Sequence, residues 1–184
     1  MSQQEDLVRD DAPITSSKTA KPDRDLSAEA VTIGRPASEL YAFWRDVTNL
    51  PKFVENLERI EKLDERRSRW TVKGPGGTTV SWDSVITDDQ PGQSISWQAE
   101  NADVPNSGKV EFLDAGTRGT VVRAVIAYEP PAGVVGKVVA KMFQREPRIQ
   151  SRRDLRRFKQ LMEAGEIATS ARNGRMLAEQ EDEL

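Results

Sequence analysis

The hydrophobic positions near the start of the chain predict one strand followed by two helices. The apolar run at residues 30–33 has the pattern of a strand, and a glycine and a proline follow it closely. Apolar residues between Leu40 and Val47 recur at helical spacing, which predicts an amphipathic helix. A further apolar group at residues 50–57 predicts a second short helix, joined to the first by a tight corner.

From residue 57 to residue 128 the hydrophobic period changes to two, which predicts antiparallel strands. Turn-forming residues divide this stretch into six candidate strands, at residues 57–63, 67–73, 78–87, 93–99, 107–113 and 119–129. Alternation places three of the four tryptophans on the same side of successive strands. This pattern is typical of a concave sheet lined with aromatic side chains.

The last strand is followed by a helical pattern over residues 134–166. Pro147 lies within this pattern and lacks a backbone donor, so we expect a kink or a brief break between residues 144 and 148. The predicted order is therefore a strand, two short helices, six strands and a long helix, which is an α+β arrangement.

The composition suggests that both ends of the chain lie outside the folded domain. Hydrophobic residues make up 36% of the sequence and charged residues 31%, a balance that indicates unpacked segments. Residues 1–25 lack the basic start and apolar core of a signal peptide, and residues 169–184 close on an acidic run. We expect disordered tails at residues 1–25 and 169–184 around one domain at residues 26–168, in a cytoplasmic protein. No run of about 18 apolar residues predicts a membrane span.

The sequence contains neither cysteine nor histidine. This excludes disulfides, Cys/His zinc sites, thiolate-held iron and nucleophiles activated by histidine. We therefore expect no metal and no cofactor, and any catalysis would use carboxylate, Lys, Arg, Tyr or backbone groups. The formal net charge of the chain is −3.

Several short motifs point to a known family. They are LYAFWRD at residues 40–46 with NLPKF at 49–53, WDS at 82–84 with ISW at 95–97, GTV at 119–121, YEPP at 128–131 and DLRRFK at 154–159. With the order of elements, they resemble the START-like or SRPBCC superfamily, in particular its polyketide cyclase/dehydrase and coenzyme Q-binding START branch. The resemblance covers residues 27–167. It implies a helix-grip fold, in which a curved antiparallel sheet of about seven strands surrounds a long C-terminal helix, with two short helices after the first strand.

The resemblance also implies a cavity between the sheet and the C-terminal helix. Its candidate lining residues are Phe43, Trp44, Trp70, Trp82, Trp97, Phe112, Arg123, Tyr128, Val135, Val139 and Met142. The alternative is that the aromatic side chains simply fill the core. Arg123 interrupts an apolar strand, and two orientations are open. Facing inward it would anchor a ligand carboxylate or carbonyl or form an internal ion pair, and facing outward it would be solvated.

A basic segment follows the predicted strands. Residues 145–159 hold seven basic residues against two acidic ones. The candidate membrane or partner patch consists of Arg145, Arg148, Arg152, Arg153, Arg156 and Arg157. Such a patch suits an anionic lipid surface, while the alternative is an ordinary solvated helix face. No nucleic-acid-binding module accompanies the charge, so nucleic acid is not expected as a partner.

Three functional hypotheses follow. The first is non-catalytic binding of a hydrophobic small molecule or lipid, such as a quinone, an isoprenoid or a polyketide-like compound, in the cavity between sheet and helix. The alternative is a polyketide cyclase, aromatase or dehydratase, whose acid/base would be a carboxylate or Tyr because histidine is absent. The third is a module that docks through the basic helix on a partner or on the inner face of an anionic membrane. Oligomeric state is not predicted.

Overall fold

The computed structural model describes residues 25–73, 77–102, 105–128 and 147–167 of the 184-residue chain. The strands are β1 (Asp25–Ile33), β2 (Leu57–Lys62), β3 (Arg67–Lys73), β4 (Thr79–Gln90), β5 (Ser94–Glu100), β6 (Asn106–Asp114) and β7 (Thr120–Tyr128). Helix α1 (Ala37–Arg45) and a 3-10 helix (Val47–Lys52) follow β1, a 3-10 turn (Gly116–Arg118) precedes β7, and helix α2 (Pro147–Ala164) comes last. The predicted α+β order is confirmed.

All seven strands form one antiparallel sheet in the order β1-β7-β6-β5-β4-β3-β2. Strands β2 to β7 are neighbours in the chain as well as in the sheet, while β1 pairs with β7 from Asp25↔Tyr128 to Ile33↔Thr120. Strands β1 and β2 therefore occupy opposite edges. The segment that joins them, which holds α1 and the 3-10 helix, has to pass from one edge of the sheet to the other.

Two strand boundaries differ from the predictions by more than one residue. Strand β1 begins at Asp25 rather than at residue 30, because β7 offers hydrogen-bonding groups along its whole length. Strand β4 continues to Gln90 through a register shift between Ile86 and Asp88, where the prediction ended at residue 87. Such a bulge changes the face toward which the following side chains point.

Helix α2 begins at Pro147, the residue predicted to interrupt a longer helix. Proline is well tolerated in the first turn of a helix, because the N–H it lacks would have no partner there. The earlier part of the predicted helix, residues 134–146, lies outside the described residues. So do the two expected tails, except that Asp25 is the first residue of β1.

The helices pack on one face of the sheet around a cluster of aromatic rings. Phe158 of α2 is fully buried, and its ring centroid lies 4.7 Å from that of Phe53 and 5.2 Å from that of Trp44. Phe112 of β6 joins the cluster from the sheet, 6.4 Å from Trp44. The sheet face that carries Phe112 therefore packs against the main core, and it is called the interior face below.

Hydrogen bonds fix the C-terminal half of α2 to the turn between β1 and α1. Lys159 Nζ donates to the carbonyl oxygen of Thr32 at 2.6 Å, and the Gly34 N–H donates to Glu163 Oε1 at 2.6 Å. Arg35 Nε donates to the carbonyl oxygen of Met162 at 3.0 Å. This end of the helix is therefore held by polar contacts as well as by the aromatic cluster.

Candidate ligand-binding site

Three tryptophans lie on the interior face of the sheet, beyond the closed aromatic cluster. Trp70 of β3 and Trp82 of β4 are partners in register, and their rings stack with centroids 6.2 Å apart and an interplanar angle of 27°. Trp97 of β5 is paired with Ile86, whose side chain belongs to the core. All three tryptophans are half-buried. Among the described residues a ring contact joins Trp70 and Trp82, whereas Trp97 lies opposite Ile86, four residues farther along β4, and its ring leans over β6. The three side chains, here called the tryptophan trio, are less enclosed than the core beside them.

A glycine on the neighbouring strand sets the position of Trp97. Gly108 of β6 is its partner in register, and a Cβ at Gly108 would overlap the six-membered ring of Trp97. The indole therefore lies directly over the β6 backbone, in space that any other residue would occupy. Glycine inside a strand often marks such a close approach.

The indole N–H groups of the stacked pair differ in their surroundings. Trp70 Nε1 donates to Ser68 Oγ at 2.9 Å. Trp82 Nε1 is buried, and no acceptor for it is present among the described residues. Ser84, which is the register partner of Ser68, donates its Oγ to the carbonyl oxygen of Gln98 at 3.3 Å.

The other predicted aromatic residues belong to the packed core. Trp44 is 7% exposed and Phe112 is 4% exposed, while Phe43 is half-buried with its ring centroid 5.8 Å from that of Phe158. At Trp44 and Phe112 the core-filling alternative applies, because neighbouring rings close around them. The aromatic residues thus divide into a closed group and the tryptophan trio.

Arg123 faces away from the interior, which corrects its place among the lining candidates. It alternates along β7 with Val122 and Ala124, whose side chains enter the core. Its Nε donates to Glu111 Oε2 at 2.6 Å across β6, on the outer face of the sheet. Burial alone would raise the pKa of Glu111, but hydrogen bonds and charge from Lys109 and Arg123 outweigh it and lower this pKa. Arg123 is therefore the cation of an outer-face ion pair.

Four lining candidates lie beyond what the structure describes. Tyr128 ends β7, paired in register with Asp25 and Asn106, and its side chain is outside the description. Val135, Val139 and Met142 lie outside the described residues. Their place in the site stays a prediction.

The interior face also carries a carboxylate that the sequence pattern did not single out. Glu29 is 4% exposed and is paired in register with Ala124, and it alternates with the core residues Val31 and Ile33. The alternation of Ser27, Glu29, Val31 and Ile33 would have placed it inward. The signal was missed because the strand was predicted to begin only at residue 30.

A second polar group lies where α1 crosses the sheet. Asp89 accepts a hydrogen bond from the Tyr41 hydroxyl at 2.5 Å and another from Arg45 Nε at 2.7 Å. Burial raises the pKa of Tyr41, and the hydrogen bond to Asp89 raises it further. For Asp89 burial acts to raise the pKa, but the bonds from Tyr41 and Arg45 outweigh it and lower the pKa. The group is internally paired and fixes α1 to β4 downstream of the bulge.

The described residues of the candidate basic patch differ in exposure and in ion pairing. Arg152, Arg153 and Arg156 are exposed and Arg157 is half-buried. Arg153 Nη1 donates to Glu55 Oε2 at 3.2 Å, whereas Arg152 and Arg156 form no ion pair within the part of the chain that the structure describes. Arg145 and the side chain of Arg148 lie outside that part. One exposed face of α2 thus keeps two unpaired cations one helical turn apart.

Asp154 of α2 is a half-buried carboxylate whose pKa departs from its ordinary value. It accepts hydrogen bonds from the Glu55 backbone N–H at 3.2 Å and from Gln150 Nε2 at 3.0 Å. Burial raises the pKa of Asp154 to about 6, against the lowering effect of these bonds and of the Arg157 charge. Asp154 joins α2 to the connection between the 3-10 helix and β2, so it is a structural contact. In the sequence it lies far from the tryptophan trio.

Two further properties of the described residues bear on metal binding and on membrane crossing. No cluster of three or more Asp or Glu side chains there is arranged to hold a metal ion. None of the helices there is long and apolar enough to cross a membrane.

A family model and individual relatives match this chain. A family model described as polyketide cyclase/dehydrase and lipid transport matches residues 33–156. A crystal structure of a Deinococcus radiodurans protein is 42% identical in sequence and superposes with a TM-score of 0.62, covering 77% of this chain and 99% of the other. An uncharacterized 17.2 kDa protein from the melC2-rnhH intergenic region of Streptomyces lincolnensis is 27% identical over 136 residues, 73% of this chain and 87% of that protein.

More distant structures share the fold. The Zhui aromatase/cyclase from Streptomyces sp. R1128 is 18% identical with a TM-score of 0.60, covering 78% of this chain and 99% of the other. A START superfamily protein from Mycobacterium smegmatis is 12% identical with a TM-score of 0.51, covering 71% and 97%. These matches confirm the predicted START-like helix-grip fold, with its curved seven-stranded sheet and C-terminal helix.

Proposed function

The chain belongs to the family of polyketide cyclases/dehydrases and lipid-transport proteins, and from this premise we propose that it binds a hydrophobic, ring-containing small molecule against the tryptophan trio. The proposed ligand class includes quinones, isoprenoids and polyketide-like compounds, and the proposed role is binding without catalysis. The description of the family includes lipid transport beside polyketide cyclases and dehydrases, which supports a hydrophobic ligand.

The observation that carries the proposal is the contrast between two groups of aromatic side chains on one sheet face. Phe53 and Phe158 are fully buried in a closed cluster with Trp44, whereas Trp70, Trp82 and Trp97 are only half-buried. A core that needed the trio for stability alone would enclose it as it encloses the cluster, because burial of aromatic surface is favourable. Half-buried aromatic faces of this kind suit an apolar ligand that completes the burial.

The fit of Trp97 over Gly108 gives the surface a defined shape. Because the indole occupies the space of a missing side chain, its ring is held close to the sheet. The stacked rings of Trp70 and Trp82 provide a second flat surface on the adjoining strands. Flat rings stack favourably on such surfaces, with a gain of about 0.5–1.5 kcal/mol per aromatic pair beyond area burial.

The test begins with the purified full chain. Organic extracts of gently purified protein are analysed by mass spectrometry, and Trp fluorescence is titrated with a naphthoquinone and with planar aromatic hydrocarbons. Three of the four tryptophans lie at the proposed site, so binding is expected to quench most of the emission. Absence of both a co-purifying compound and saturable quenching contradicts the proposal.

A matched pair of variants sharpens this test. Gly108→Ala forces the Trp97 ring away from β6 and should weaken binding about tenfold, equivalent to about 1.4 kcal/mol, because the ring loses the position against which the ligand stacks. The control is Ser107→Ala, a change on the adjacent position, whose side chain faces the other side of the sheet. Equal affinities of the two variants would show that the Trp97 position does not matter for binding.

Glu29 favours a second candidate function, that of a cyclase or dehydratase. A carboxyl group on the interior face can take a proton from a carbon next to a carbonyl and return it to a departing hydroxyl, which leaves as water. In the test, a polyketide-like β-hydroxy ketone is incubated with the protein and the products are searched for loss of one water. Glu29→Gln should abolish the product and keep ligand binding if this candidate holds, and an unchanged β-hydroxy ketone contradicts it.

The exposed face of α2 is a separate proposed contact. Arg152 and Arg156 are unpaired within the described chain, and each basic residue near an anionic bilayer contributes about 1 kcal/mol. We propose that this face makes a peripheral contact with anionic lipid. Such a contact would bring a hydrophobic ligand site near a membrane that stores hydrophobic compounds.

A further inference from the structure

The neighbouring strands β3 and β4 each carry a serine and a tryptophan two residues apart, but the two indole N–H groups differ in whether they have an acceptor. Ser68 and Ser84 are register partners, and so are Trp70 and Trp82. In β3 the serine accepts the hydrogen bond of the indole two residues away. In β4 the serine donates to the Gln98 carbonyl instead, and the indole N–H remains without an acceptor among the described residues.

An indole N–H in this situation is unfavourable for folding. Buried tryptophan normally finds an acceptor for its N–H, because leaving a buried donor unsatisfied costs the desolvation of that group. Phenylalanine would supply a ring of similar character at this position without the donor. The N–H of Trp82 is thus best explained by an acceptor that arrives with a ligand.

We propose that the Trp82 N–H is a specificity-determining donor, which receives a carbonyl or hydroxyl oxygen of a planar ligand lying against the tryptophan trio. This inference rests on the proposed function and adds one requirement to it. A ring hydrocarbon satisfies the apolar part of the site, but only a ring compound that bears an oxygen acceptor also satisfies Trp82. Trp70 has no such role, because Ser68 already accepts its N–H.

The experiment uses two ligands of nearly the same shape that differ in one acceptor. Fluorene and 9-fluorenone are titrated into the full chain by calorimetry. Wild type should bind fluorenone about five- to tenfold more tightly than fluorene, the usual net effect of one hydrogen bond. Trp82→Phe should bring this ratio close to one while fluorene affinity changes little. Trp70→Phe is the matched control and should keep the ratio.

A measurement on the wild-type chain tests the same donor role without relying on variants, which could fold poorly. In ¹⁵N-labelled wild type, fluorenone should move the indole N–H resonance of Trp82 downfield, as expected for a new hydrogen bond, and fluorene should not. If both ligands bind with equal affinity and the Trp82 resonance responds alike, the donor role is wrong while the proposed function stands. If neither ligand binds, the proposed function fails and this inference with it.

Discussion

Replacing Asp154 by Asn should stabilise the protein at neutral pH, although it removes a hydrogen-bonded carboxylate. The asparagine side-chain oxygen can still accept the hydrogen bonds from the Glu55 N–H and from Gln150. What the substitution removes is a charge, and burial raises the pKa of Asp154 from 3.8 to about 6 because that charge is unfavourable here. A shift of about two units corresponds to about 3 kcal/mol of folding free energy.

The sign of the pH dependence follows from the direction of the shift. Because the folded protein holds the Asp154 proton more tightly than the unfolded chain, protonation favours folding. This contribution is fully present below about pH 3.8 and is lost as the pH rises through about 6. The Asn variant and wild type should therefore have similar stability at pH 4, and at pH 8 the variant should be more stable by up to about 3 kcal/mol.

Urea unfolding followed by Trp fluorescence at several values between pH 4 and pH 8 measures the difference. Asp83→Asn is the control, because hydrogen bonds from Arg69 hold the pKa of that half-buried carboxylate below its ordinary value of 3.8. Its stabilising effect is nearly complete at pH 4, so the difference between this variant and wild type should stay nearly constant from pH 4 to pH 8. A difference between Asp154→Asn and wild type that stays as constant with pH as that of the control, or that becomes less favourable to the variant as the pH rises, would refute the argument from burial.

Three further results are expected. Phe158→Ala should lower the free energy of unfolding by about 3–5 kcal/mol in the same urea assay, because it opens a cavity in the closed cluster, and a loss below about 1 kcal/mol would contradict the packing described. Arg123→Ala should cost less than about 1 kcal/mol and leave ligand affinity unchanged, whereas a large loss of affinity would place Arg123 at the site after all. Joint reversal of Arg152 and Arg156 to Glu should abolish flotation with anionic liposomes, while reversal of Arg59 and Lys73, which changes net charge equally, should not. Equal flotation of the two double variants would show that the α2 face is only a solvated surface.

The element order and the inward face of the central strands were predictable from local pattern. Period-two alternation in β3, β4 and β5 is strong because their interior positions carry large aromatic or aliphatic residues, and it correctly put Trp70, Trp82 and Trp97 on one face of the sheet. The pattern was weaker at the edge of the sheet. There β1 begins with polar residues, and its first half is held by pairing with β7 rather than by its own hydrophobicity.

The orientation of Arg123 shows why some site residues could not be chosen from sequence. Strand β7 is apolar on both faces, so alternation gave no contrast and two orientations stayed open. The register with β6 decides between them, because it places Glu111 beside Arg123 on the outer face and Phe112 beside Val122 on the inner one. Pairing between strands is a long-range property, and a local pattern does not contain it.

By itself the sequence determined the absence of cysteine and histidine chemistry, the α+β order of elements and the presence of a one-sided row of tryptophans, since each depends on composition or on neighbouring residues. Only the tertiary structure separated the aromatic side chains into a closed core and a half-buried surface, because exposure depends on which helix covers which strand. It likewise turned Glu29 inward and gave the N–H of Trp70, but not that of Trp82, an acceptor among the described residues. These differences arise from contacts between distant segments, and they are what distinguishes a binding surface from a core in this fold.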